Sequence, residues 1–333
     1  MRPYIYRLLW ILVSTVVFAA SGFASPLNNP LLPLVPPGAE IVAGFDNHPT
    51  GHEHGRLLLS THNDRLDLDD WQGLAGVDSK RVIDEVIEVA ASSASGRLTE
   101  HLLLVAGHFN RERIFKAAEL NGAQRSEFQG ETALLIKPFD REQGEMLDAR
   151  WLVILNDHIA MLGTRTMVQS ALRRYATHAD IDMPLMERLA QMRRDVTSWT
   201  ILMGSPKTEG SLALTQPNSV LTRLLDGAEV LMIGARFSAR IRVDFSLHGR
   251  NDHQSEFLTE KPASLADVFA KEPLLLSGSP PQSQSRLGNL SMELDCIQGS
   301  VELSQKDFEQ WNRQGGFTRR SQGQATRTLS HGE

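Results

Sequence analysis

The apolar positions of this chain recur in one order: two strand-like runs separated by a turn, then a stretch at helical spacing. Period two is clearest at 241–248. There Ile241, Val243, Phe245 and Leu247 alternate with Arg242, Asp244, Ser246 and His248, so one sheet face is apolar and the other wet. Helical spacing is clearest after Thr164, where Met167, Val168, Ala171, Leu172 and Tyr175 form one stripe.

The same order organises the rest. Runs at 84–92 and 98–106 flank a small-residue turn and lead into a helix over 110–120. Asn110 is its predicted N-cap, Ile114, Phe115 and Ala118 its buried face, and Asn121-Gly122 its stop. A further hairpin joins 124–128 to 131–137 through Gln129-Gly130, and 151–155 turns through Asn156-Asp157-His158 into 159–162. Nearer the N-terminus, 40–46 and 56–61 flank a loop before a short helix around 68–74. Beyond residue 182 come a helix bearing Leu185, Met186, Leu189, Met192 and Val196, a strand over 199–203, and a polar loop over 205–218. A short helix over 220–225 then leads to the strand pair that holds the 241–248 alternation, followed by helical character at 265–269 and a Ser/Pro/Gln-rich stretch over 272–289. Residues 291–296 and 301–304 form a last pair, with its turn at Gln298-Gly299, before a brief helix carrying Phe308 and Trp311. Trp71, Trp151, Trp199 and Trp311 all fall in or beside apolar patterns and are expected to pack in the core.

Strand pairs interrupted by helices predict the α+β class, with mainly antiparallel sheets and helices packed on one face. The strand–strand–helix unit recurs about five times, which predicts two similar halves, 39–180 and 181–312, related by internal duplication.

The two ends differ from the body. Residues 1–24 have the parts of a secretory signal peptide: a basic start (Arg2, Arg7), an apolar run over 8–20, and a small-residue exit at Ser21-Gly22-Phe23-Ala24-Ser25. The run is thirteen residues long. A spanning helix needs about 20, so cleavage is expected instead of anchoring, and no later stretch is long and apolar enough to span a bilayer. The expected location is outside the cytoplasm, periplasmic or extracellular. Residues 25–38 form a proline-rich leader, predicted to be an extended tether with order beginning near Ala39. Residues 313–333 are polar and predict a disordered tail.

Charge and cysteine content narrow the function. The formal net charge of −6 becomes −8 without the first 24 residues, which hold two arginines and no acid. An acidic chain is poorly suited to phosphate backbones, so nucleic acid is not an expected partner. Cys296 is the only cysteine, so no intrachain disulfide can form and stability must come from packing. It continues the alternation of Met292 and Leu294, which predicts a buried strand position.

Four of the eleven histidines, His48, His52, His54 and His62, lie within fifteen residues. Imidazole is a common ligand of zinc and copper, and His52 and His54 two apart on a strand would point the same way, with Glu53 or His48 able to complete a site. The stretch lacks the HExxH spacing and paired cysteines of strong zinc motifs, so a polar loop punctuated by glycine and proline that happens to be rich in histidine is the plainer reading. No other cofactor is expected. Asp64, Asp67, Asp69 and Asp70 lack the layout of a calcium loop and suit the start of a helix. The GxSxG, SxxK and phosphate-loop motifs are missing. His101, His108, Asn110 and Glu112 are the residues from which a dispersed acid–base site could be built. Arg173-Arg174 and Arg193-Arg194 fall on polar helix sides, for ion pairing near helix ends or as a partner-binding stripe.

The sequence therefore predicts a non-catalytic exported binding or interaction protein, whose partner outside the cytoplasm is a protein or a small molecule. A metal-binding or metal-handling role for the His48–His54 loop is the alternative, and an enzyme with a dispersed site the second alternative.

Overall fold

In the computed structural model, the described residues are 26–46, 82–93, 98–136, 139–140, 145–146, 149–204, 228–237, 240–249, 286–287, 291–293 and 296–304. The apolar runs at 41–46, 83–92 and 98–107 become β1 (Ile41–Asp46), β2 (Ile83–Ser92) and β3 (Leu98–Gly107). Helix α1 (Arg111–Leu120) follows, with the Asn110 side chain accepting from the Arg113 N–H as a cap. Strands β4 (Gln124–Phe128) and β5 (Glu131–Ile136) turn through Gln129 and Gly130, both at positive φ (54° and 83°). Gly130 takes that conformation without steric penalty, which suits a tight hairpin turn. A small ribbon of β6 (Phe139–Asp140) and β7 (Glu145–Met146) leads to β8 (Arg150–Ile154), β9 (Ile159–Gly163), α2 (Arg165–Ala176) and α3 (Met183–Gln191). Then come β10 (Ser198–Met203), β11 (Ala228–Phe237), β12 (Arg240–Gly249), β13 (Arg286–Leu287), β14 (Ser291–Glu293) and β15 (Cys296–Ser304).

Thirteen of these strands join one antiparallel sheet, in the order β13-β15-β12-β11-β10-β1-β2-β3-β9-β8-β5-β4, with β14 also paired to β15. The fold is mostly β with some helices, and β1 sits in the interior between β2 and β10. Outward from the β1/β10 junction, each side runs through a three-strand meander to a strand that is itself half of a hairpin. On one side these are β1-β2-β3 and β9 with β8; on the other, β10-β11-β12 and β15 with β14.

Side chains alternate across the sheet, and the two faces build separate cores. Leu102 and Leu104 of β3 join one cluster with Met167, Val168, Ala171 and Leu172 of α2 and Leu185 and Leu189 of α3. Leu103 and Val105 join the other, with Ile114, Phe115 and Ala118 of α1. The helices are thus divided between the two clusters instead of gathered on one face.

Two expectations change. The proline-rich leader is not an extended tether: Pro26–Asn28 and Leu32–Leu34 form short 3-10 turns, and Leu31, Leu32, Leu34 and Val35 are buried in the α2 cluster. Proline near the start of such a turn removes no hydrogen bond that the turn needs. Arg174 of α2 holds the leader by donating from Nε to the Pro33 carbonyl at 2.7 Å. The Gln298-Gly299 turn is also not formed. Strand β15 runs straight through, with Gln298 opposite Ser246 and Gly299 opposite Phe245.

Candidate functional site

Facing residues across the sheet share a side, so the ladder can be followed from strand to strand. From β9 to β15 one row runs Met161, Leu104, Ile87, Gly44, Trp199, Gly234, Asp244, Ser300. Its neighbour runs Gly163, Leu102, Val89, Val42, Ile201, Met232, Ser246, Gln298. Both rows are apolar or glycine as far as β11 and turn polar at β12. This is the wet face that the 241–248 alternation predicts.

Helix α3 and the segment after it stand beside this polar end. Met192 leaves the helix with ψ 153°, its N–H closing on the Leu189 carbonyl. The chain then drops Val196 onto Gly234, where a Cβ would approach Val196 Cγ1 to 2.8 Å. The result is a groove of about 590 Å³. Arg188, Gln191, Met192, Arg193 and Val196 form one wall, and Arg242, Ser246, His248, Cys296 and Gln298 belong to the floor.

Ion pairs fix the wall to the floor. Asp195 accepts from Arg193 Nε and Nη2 at 2.9 and 3.0 Å, and from Arg236 Nη1 at 2.8 Å. Asp244 Oδ1 accepts from Arg242 Nε at 2.9 Å, and its Oδ2 lies 3.7 Å from Arg193 Nε. The hydrogen bond from Arg193 outweighs desolvation and lowers the Asp195 pKa to about 2, and the same contact raises that of Arg193. Arg188, in the last turn of α3, makes no ion pair among the described residues.

At the far end of the floor, His248 Nε2 lies 3.5 Å from Ser246 Oγ and 3.7 Å from Cys296 Sγ. Gln298 Nε2 donates to that sulfur at 3.4 Å. Cys296 is buried, but it does not continue the alternation of Met292. It opens β15 opposite His248 and Glu293, on the polar face, while Met292 of β14 lies opposite Ile297. The groove therefore offers guanidinium forks, hydroxyls, an amide and an imidazole to a solute.

The metal candidates His48, His52, His54 and His62 lie outside the described residues, as do Asp64, Asp67, Asp69, Asp70, Trp71 and Trp311. Among the described residues, no three His, Cys, Asp or Glu side chains are grouped to hold a metal ion. The acid–base candidates are spread along β3 and the first turn of α1, where Glu112 lies. His101 lies in β3, His108 just beyond its other end, and Asn110 is occupied as the cap of α1. His108 instead meets His158, ring centroids 5.2 Å apart and edge to face, with Asp84 Oδ2 3.9 Å from its Nε2. Trp199 is buried over Gly44, and Trp151 stacks on Phe128 at 4.7 Å. Of the arginine pairs, Arg174 serves the leader and Arg193 the groove. Sequence reasoning missed Arg188, Arg242, Asp244 and Gln298 as site residues. The signal for Arg242 and Asp244 was their place on the polar side of β12.

No family model matches the chain, and no curated protein matches it. The solved structure of TP0453 in crystal form I is similar to it at 12% identity and a TM-score of 0.48, over 85% of this chain and 96% of that one. Among the described residues no helix is long and apolar enough to cross a membrane.

Proposed function

We propose that this is an exported, non-catalytic binding protein whose ligand is a small polar molecule, taken up in the groove between α3 and β12–β15. The change from apolar to polar floor carries the reading. On the β3–β9 side Leu104 and Met161 share a cluster with α2. In the same row, Asp244 and Ser300 instead line an open groove of about 590 Å³, within the size range of small-molecule sites. Burying such polar groups without partners is unfavourable, so solvent or a polar solute suits the groove better than another helix. Cys296, at the end of the floor, is only 5% exposed, which suits a packed thiol better than a nucleophile.

A thermal-shift screen of polar metabolites tests the reading, with Ser246→Trp filling the groove. A compound that raises the midpoint of the wild type and not of the variant supports it; compounds that stabilise both equally oppose it. Export is tested by fractionation and by the mass of the recovered protein, which should lack residues 1–24. Internal duplication is part of the same proposal, supported by the matching strand connectivity on either side of the β1/β10 junction. It fails if β1, β2, β3, β8 and β9 do not superpose strand for strand on β10, β11, β12, β14 and β15.

A further inference from the structure

We infer that the groove is a receptor for a small dianion, a dicarboxylate or a phosphate-bearing solute, held by Arg188, Arg193 and Arg242. The inference rests on the groove being the ligand site and names the chemistry it selects.

Charge is the first support. The chain as a whole is acidic, at −6, yet the groove lining carries three arginines against one carboxylate, Asp244. Arg193 is compensated by Asp195 just behind the wall and Arg242 by Asp244, so the positive charge left on the lining is that of Arg188, which an anionic group of the solute would neutralise. Every cation of the lining is arginine and none is lysine. The planar guanidinium fork matches the paired oxygens of a carboxylate or phosphate, whereas an ammonium acts as a point charge.

Preorganisation is the second. Arg193 gives Nε and Nη2 to Asp195, and Arg242 gives Nε and Nη2 to Asp244. Each guanidinium is gripped along one edge, which leaves Nη1 available to a ligand. Arg236 binds Asp195 as well and anchors that carboxylate in turn. Side chains already held in one rotamer lose little entropy when a ligand arrives. Arg188 supplies the third fork, and no carboxylate among the described residues competes for it.

The remaining groups suit the body of such a solute. Ser246 and Gln298 on the floor and Ser291 at its rim are uncharged hydrogen-bonding groups, matched to hydroxyl, amide or ether oxygens.

Titration calorimetry of the purified protein with succinate, inorganic phosphate and neutral sorbitol tests the inference. At least one dianion should bind tenfold or more tightly than sorbitol, and added sodium chloride should weaken it. The tighter of the two identifies the carboxylate or the phosphate class. Arg188→Gln and Arg242→Gln should each weaken that probe about tenfold, the scale of one lost charge-assisted hydrogen bond. Asp195→Asn separates positioning from charge. A merely positive patch would bind the dianion more tightly once a negative group is removed, whereas preorganised forks bind it less tightly. Sorbitol binding as well as the dianions, with Ser246→Trp abolishing it, overturns the dianion inference and leaves the groove as the ligand site. Dianion binding that Ser246→Trp leaves unchanged overturns both, as does a lack of binding by all three probes.

Discussion

Replacing Leu32 by alanine tests whether the leader belongs to the core. Leu32 is wholly buried, as is its neighbour Leu31, among side chains from α2, α3 and the sheet. The segment is held by the Leu34 and Val35 amides closing on Leu31 and Leu32, and by Arg174 on the Pro33 carbonyl. Local backbone bonds of this kind would limit collapse around a missing side chain. Leucine-to-alanine changes at such sites destabilise by the lost transfer energy plus the energy of the cavity, about 3 kcal/mol here. For a chain of this size that corresponds to a fall in Tm of about 6–12 °C. A leucine on a solvated tether would change stability by less than about 0.5 kcal/mol. Urea unfolding followed by tryptophan fluorescence measures the difference, with an unchanged m-value showing that the same surface is exposed in both proteins. A loss below about 0.5 kcal/mol would refute the burial and restore the tether.

Three further outcomes follow from the geometry. Asp195→Asn should destabilise the protein by about 1–2 kcal/mol at neutral pH, a value reduced from the full pKa difference because the carboxylate is partly solvated. Its folded pKa is depressed, so the contribution is complete above the unfolded carboxylate range and lost as pH falls towards about 2; a wild-type advantage that grows on acidification would contradict this. Gly44→Ala would drive a methyl group into the Trp199 indole and should cost about 2 kcal/mol in denaturant unfolding, largely relieved in the double variant with Trp199→Leu. The Cys296 thiol, 5% exposed, should react slowly with a thiol reagent in the native state and stoichiometrically in denaturant, and rapid native labelling would place it on an open surface.

Local chemistry was legible where neighbours in sequence are neighbours in space. Asn110 caps α1, Gln129-Gly130 turns the β4–β5 hairpin, and Met167, Val168, Ala171 and Leu172 form the buried face of α2, because each depends on residues within a turn or two. Pairing across the sheet was less so. Nothing local to Ile41–Asp46 says that it lies between β2 and β10, since an apolar run fits many edges equally. The leader departs from expectation because proline bars helix and central strand but not packing: leucines between prolines still enter a core from 3-10 turns. Gln298-Gly299 misled because glycine beside a polar residue suggests a turn, although a strand also accommodates glycine. For the groove, the alternation at 241–248 identified the wet face. Its opposite wall comes from residues 188–196, about 50 positions away, and no periodicity encodes that approach.

The interior place of β1 has a consequence for the order in which the protein can be completed. Synthesis delivers Ile41–Asp46 early, its first partner by residue 92, and its second only at Ser198–Met203. At about 5–20 residues per second, the last interval is roughly 5–20 s. Throughout it, the β10 side of Ile41-Val42-Ala43-Gly44-Phe45 is an unpaired apolar edge, the kind that recruits strands from other chains. A product stopped before residue 198 keeps that edge permanently, so premature termination should yield an aggregating fragment and not a smaller working protein.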